Sequence, residues 1–174
     1  MPINFMNRLL LLPMLFLFCV IPQMAQDAKA ACYKWQTQVD PKFERVEIDE
    51  SKLSDKEIQT GIGCLLKLKG NKRKAGFTGA TRSNIYASGR YEYKTATIEI
   101  AALYYISYMF HNNWEHAGSI SLYDEEAENG NSKKSIKRAY ESYRKWYEKL
   151  LEIGLQKARE QKLDPLENSG VSWS

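Results

Sequence analysis

The sequence predicts a mainly α protein, a small single-domain helical bundle of three main helices with a long basic loop. Apolar residues recur every three or four positions after Ser54 and again after Ser132, which is the spacing of one helix face. Between these segments, residues 97–111 are apolar on nearly every face, as in a central buried helix. A chain of 174 residues is long enough to bury one core without a metal.

The first thirty residues have the pattern of a secretory signal peptide. Arg8 precedes the apolar run Leu9–Ile21, and an Ala-x-Ala site follows at residues 28–30. The apolar run is too short to span a bilayer comfortably. We therefore expect cleavage after residue 30, a mature domain at residues 31–174 without a membrane span, and a periplasmic or secreted location.

The cysteines agree with export. Cys32 and Cys64 are the two that remain after cleavage, and an even pair in an oxidising compartment predicts one disulfide. A lipid anchor at Cys32 is the alternative, but Lys29 is an unfavourable residue three positions before a lipidated cysteine.

The start of the mature chain leads into the first main helix. Loose alternation of apolar residues over 43–48 predicts a short strand or an extended arm. Ser54 and Glu57 then have the spacing of a capping box, so the helix begins there. Gly61 and Gly63 weaken a helix by about 1 kcal/mol each relative to alanine, which indicates a close packing contact at these positions.

Segment 67–94 concentrates positive charge. It carries eight basic side chains against Glu92, a local charge of +7, whereas removing Arg8, Asp27 and Lys29 lowers the net charge of the whole chain from +4 to +3. Glycines and aromatic rings are interleaved with these charges, and glycines let backbone N–H groups approach an anion. The simpler interpretation is a solvated segment that keeps the protein soluble. The candidate binding residues are Lys72, Arg73, Lys74, Phe77, Arg82, Tyr86 and Arg90.

The remaining chain predicts a hairpin and the last helix. Residues 112–132 combine an alternating Ser-Ile-Ser-Leu-Tyr run with an acidic turn, which predicts a short β-hairpin. The last helix begins after Ser132 or Ser135, and Gly154 can break it into two pieces. An aromatic stripe on this helix fits the core better than a sugar-binding platform, and it comprises Tyr140, Tyr143 and Tyr147.

No metal or cofactor pattern is complete in the sequence. His111 and His116 are five residues apart, off the spacing that brings two imidazoles together on one helix. Residues 124–130 resemble the start of a calcium loop, but Asn129 and Ser135 stand where an EF-hand needs glycine and glutamate. A solvated acidic turn is therefore the better interpretation of this segment. Complete dinucleotide, phosphate-loop and serine-hydrolase motifs are also absent from the sequence, so we expect no cofactor and no metal.

These observations favour an exported, non-catalytic protein that binds or inhibits a partner through the basic loop, comparable in size and location with toxin-neutralising immunity proteins. We expect the partner to be an acidic protein or an anionic component of the cell envelope, and not nucleic acid, because the protein is exported. Two alternatives stay open. One is a secreted hydrolase without a linear motif, and the other is an envelope protein that binds polyanions or glycans.

Overall fold

A computed structural model describes residues 30–76, 96–112, 121–124 and 129–173 of the chain. The chain divides into two compact units, Met1–Tyr33 and Lys34–Ser174. Of the first unit the structure describes residues 30–33, which belong to a helix (α1, residues 30–36). Within the described ranges, no helix is both long enough and apolar enough to cross a bilayer.

Three main helices follow and confirm the mainly α prediction. They are α2 (Asp55–Leu66), α3 (Ile98–His111) and α4 (Lys133–Ile153). All residues of α3 except Tyr108 and His111 are buried, so it is the central helix that its nearly continuous apolar sequence predicts. The amphipathic helices α2 and α4 pack against α3 and against each other.

Local sequence determines where these helices begin and end. The Ser54 hydroxyl accepts a hydrogen bond from the Glu57 N–H, and the Glu57 carboxylate accepts one from the Ser54 N–H, which is the predicted capping box. Ser132 caps the start of α4. Gly154 has a φ of 87°, a conformation that favours glycine, and it separates α4 from a short helix α5 (Leu155–Glu160).

The segment between α1 and α2 is an extended arm and not a strand. The side chain of Gln38 donates to the Val46 carbonyl at 2.7 Å, and the Val46 N–H donates to the Thr37 hydroxyl at 3.2 Å. Side chains from the turn after α1 thus form the hydrogen bonds with the Val46 backbone that a neighbouring strand would otherwise provide. A short 3-10 helix at Glu50–Lys52 then leads to α2.

A small antiparallel sheet completes the second unit. Its central strand β1 (Leu122–Asp124) pairs with β2 (Asn129–Gly130), which confirms the predicted hairpin. The third strand, β3 (Val171–Trp173), pairs with the other side of β1. The sequence did not predict β3, because three residues are too few to show an alternating pattern.

The side chain of Trp173 joins β3 to the helical core. Its indole N–H donates to the hydroxyls of Ser107 at 3.2 Å and Tyr143 at 3.1 Å. Its ring also meets Tyr104 edge-on, with 5.5 Å between the ring centroids. Ser107 and Tyr143 are hydrogen-bonded to each other, and burial raises the pKa of the Tyr143 phenol.

Two of the three tyrosines of the predicted aromatic stripe on α4 belong to the core, whereas Tyr147 is only half-buried. Tyr140 and Tyr143 are fully buried. Trp146 lies one turn further along, is almost fully buried, and packs edge-on against Phe110 of α3 with 4.9 Å between centroids. Such edge-to-face pairs are favourable because the positive edge of one ring meets the negative face of the other.

Cys32 and Cys64 are both disulfide-bonded, as the sequence predicts. They are the two cysteines of the described residues, and Cys64 is buried within α2. Disulfides form and persist in oxidising compartments. The pair therefore indicates an exported protein.

Candidate binding surface

The described start of the predicted basic loop is a segment with positive charge only. Residues 67–74, called the basic segment below, contain five basic side chains and no acidic one. All five are exposed to solvent. They are Lys67, Lys69, Lys72, Arg73 and Lys74.

Backbone hydrogen bonds hold the end of the basic segment against the start of α3. The Ile98 N–H donates to the Arg73 carbonyl at 2.8 Å, and the Ala75 N–H donates to the Ala96 carbonyl at 2.9 Å. We call this pairing of residues 71–76 with residues 96–99 the clamp. The loop that the sequence predicts over 70–94 therefore begins as a paired segment with a fixed course.

A buried carboxylate supports the turn that leads into the clamp. Glu99 is only 5% exposed, and its Oε2 accepts a hydrogen bond from the Gly70 N–H at 2.7 Å. The backbone carbonyl of Glu99 accepts another from the Tyr140 hydroxyl at 2.8 Å. Burial, together with the negative charge of Glu99, raises the pKa of Tyr140, so the phenol keeps the proton that it donates.

Among the three adjacent candidates, Arg73 has a structural partner. Its guanidinium donates to the carboxylate of Asp40, which is almost completely buried. Removing one partner of such a pair leaves a buried charge uncompensated, which is strongly destabilising. Lys72 and Lys74 differ from Arg73, because neither forms an ion pair within the part of the chain that the structure describes.

Helix α4 extends the positive surface. The Lys69 ammonium lies 5.8 Å from the centroid of the Tyr140 ring, within the range of a cation–π interaction. Arg144, one turn further along α4, is exposed, and its positive charge acts on the same phenol. The basic segment and Arg144 are together called the basic face below.

Four of the predicted binding residues lie outside the described residues: Phe77, Arg82, Tyr86 and Arg90. The same holds for His116, whereas His111 is the last residue of α3. Among the residues that the structure describes, no group of three or more His, Cys, Asp or Glu side chains could hold a metal ion.

The acidic turn differs from its sequence-based interpretation at its first residue. That interpretation was a solvated turn, but Asp124 is completely buried in β1. Its Oδ1 lies 3.4 Å from the Arg138 guanidinium of α4. The ion pair connects the small sheet to α4. Asp124 therefore contributes to the packing of the sheet on the helix and is not part of a solvated turn. Residues 125–128 lie outside the described ranges.

Sequence reasoning found the basic segment from its charge but missed two features of the basic face. The pairing of Arg73 with Asp40 and the contact of Lys69 with the Tyr140 ring both depend on tertiary packing, which charge counting does not detect. In comparisons with known proteins, no protein-family model, curated protein or solved structure matches the chain.

Proposed function

We propose that this protein is an exported, non-catalytic binding protein whose basic face docks onto an acidic protein or an anionic component of the cell envelope. The observation that carries the proposal is the exposure of the lysines of the basic segment and their lack of ion-pair partners among the described residues. These lysines lie close together in the chain, within residues 67–74. Like charges that are held together repel one another, and an anionic partner would relieve that repulsion.

The clamp supports the same proposal on entropic grounds. Binding loses affinity when it must order a mobile chain, and a preorganised segment reduces that loss. The clamp and the Glu99–Gly70 bond fix the backbone around the basic segment before any partner arrives. Electrostatic attraction would then act mainly on the rate of association and on specificity.

Export to the periplasm or the medium belongs to the proposal. The disulfide and the signal-peptide pattern of residues 1–30 support it. Mass spectrometry of the protein recovered from the producing cell should find an N-terminus at Ala31 or within a few residues of it. An intact Met1 on cytoplasmic protein would contradict export.

The proposal is tested by reversing two charges of the basic face. Lys72→Glu with Lys74→Glu leaves the Arg73–Asp40 pair in place, and both side chains are exposed, so folding should be nearly unchanged. The matched control is Lys56→Glu with Lys157→Glu, which makes the same charge change. A hydrogen bond between Gln156 and Asp55 places the control lysines near the opposite end of α2.

The immobilised protein first recovers binding partners from an extract of the producing cell, and association rates are then measured at several salt concentrations. The Debye length is about 10 Å at 0.1 M salt and about 3 Å at 1 M, so parent and control should associate more slowly as salt rises. The basic-face variant should associate slowly at low salt, with a flatter salt dependence. Equal rates for the parent and the variant at every salt concentration would contradict the proposal.

A further inference from the structure

A cavity with both apolar and charged lining residues lies where the end of α3 meets the chain that follows α5. It has a volume of about 450 Å³, within the range of small-molecule sites. It is far in sequence from the basic segment, and the proposed function does not use it. Its lining residues are Phe110, His111, Asn112, Arg159, Lys162 and Asp164.

Arg159 is the fixed cation of this cavity. Its Nε donates to the Phe110 carbonyl at 2.7 Å, and its Nη2 donates to the Met109 carbonyl at 2.9 Å. These two bonds satisfy carbonyls in the last turn of α3 and set the plane of the guanidinium. A guanidinium has five N–H donors, so three remain for another acceptor. Burial lowers the pKa of Arg159. Arginine nevertheless keeps its charge in proteins, so the cavity holds a permanent cation.

Lys162 supplies a second positive charge. It is exposed and forms no ion pair within the part of the chain that the structure describes. Its φ is 52°, a left-handed conformation that is uncommon for lysine and marks the turn at this position. Asp164 is the one acidic residue among the described residues that line the cavity, and its Oδ1 already accepts a hydrogen bond from the Leu166 N–H at 2.7 Å. With Arg159 and Lys162 positive and Asp164 negative, the described lining residues carry a net positive charge.

A smaller cavity of about 170 Å³ shares Asn112 and Arg159 with the first and carries the opposite charge. Glu50 and Asp55 line it, and the Asp55 carboxylate accepts a hydrogen bond from the Gln156 side chain at 3.0 Å. An anion is repelled on that side of Arg159 and attracted on the side of Lys162. Charge thus distinguishes the two cavities.

We propose that the larger cavity binds small organic carboxylates, with the carboxylate between Arg159 and Lys162. A planar carboxylate matches the fork of an arginine whose plane is already fixed. The His111 imidazole supplies a flat surface at the edge of the cavity for the organic part of the ligand. Its ring is itself held edge-on against Phe110, with 4.8 Å between centroids.

The test is a titration of the isotope-labelled protein with acetate, benzoate and phenylacetate, followed by two-dimensional NMR. Each carboxylate is compared with its neutral amide at the same ionic strength. We expect saturable shifts at the amides of Asn112 and Lys162 for at least one carboxylate and for none of the amides. Absence of saturation for all three carboxylates, or an equal response to the amides, would overturn the proposal.

Two variants locate the binding. Lys162→Asn removes the charge, and asparagine tolerates the left-handed backbone, so the fold is kept and Kd should rise about two- to fivefold. Lys157→Asn on α5, outside the cavity lining, is the matched control and should bind like the parent. Arg159→Lys keeps the charge but loses the planar fork, and it should raise Kd by about tenfold or more. An unchanged Kd in Lys162→Asn would place the anion elsewhere and refute this site.

Discussion

Replacing Gly61 with alanine tests the closest approach of α2 to Trp35. A Cβ built at Gly61 would lie 2.7 Å from Trp35 Cε2 and 2.8 Å from two further ring atoms. Such distances are shorter than real Cβ contacts, so one group must move. The indole is completely buried, and a rigid ring has no free direction in which to withdraw.

The expected effect is the difference of two terms. Alanine in place of glycine in a helix interior stabilises by about 1 kcal/mol. Overpacking a core typically costs about 1–3 kcal/mol, and contact with three atoms of a fixed ring favours the upper end of that range. Gly61→Ala should therefore lower the free energy of unfolding by about 2 kcal/mol.

Gly63 provides the matched comparison two residues further along the same helix. A Cβ there would meet the Tyr147 hydroxyl oxygen at 2.6 Å, with the next ring atom at 3.2 Å. Tyr147 is only half-buried and can turn away, at the loss of its hydrogen bond to the Gln59 carbonyl, about 1 kcal/mol. That loss offsets the helix gain, so Gly63→Ala should be nearly neutral.

Urea unfolding followed by circular dichroism measures both variants. In a Tyr147→Phe background the obstructing oxygen is gone, and Gly63→Ala should then stabilise by about 1 kcal/mol. If Gly61→Ala proves as stable as the parent, Trp35 does not pack against α2 at this position, and the account of this contact is wrong.

Three other predictions concern the core, the first helix cap and the disulfide. Trp146→Ala should lower the free energy of unfolding, measured in urea, by about 3–5 kcal/mol, because it removes the ring that packs against Phe110. A nearly unchanged free energy would mean that this ring is not part of the core. Hydrogen bonds from Ser54 lower the pKa of Glu57 below its ordinary value of about 4.5. The stabilisation from this carboxylate should therefore be complete above that pH and disappear as pH falls through the lowered pKa, so melting curves of Glu57→Ala and the parent should converge in acid. Cys64→Ser should cost about 2–5 kcal/mol, and freely labelled thiols in protein from the native compartment would refute the bond.

The sequence was sufficient wherever one residue decides a local structure. The Ser54 hydroxyl accepts a hydrogen bond from a helix N–H that would otherwise have no partner, and Gly154 adopts a φ that other residues avoid. The start of α2 and the end of α4 could therefore be predicted. The apolar sequence of α3 likewise predicts burial, because a helix without a polar face must be covered on all sides.

Features that depend on distant partners could not be predicted in this way. β3 forms by pairing with the edge of β1 that β2 leaves unpaired. Residues 171–173 alone contain no pattern that predicts this pairing. Arg159 is a basic residue in the last turn of its own helix, where a positive charge is favourable. Its guanidinium instead donates hydrogen bonds to two backbone carbonyls of α3, and these bonds depend on the packing of α5 against α3.

The clamp has a consequence for how this protein can change over evolutionary time. It fixes the positions at which the chain leaves at residue 76 and returns at residue 96, through backbone atoms that most residue types can supply. Substitutions and length changes between these two points leave the clamp bonds available, and doubling a loop adds only about 0.6 kcal/mol of closure entropy. The sequence between residues 76 and 96 can therefore change while the helical core stays the same.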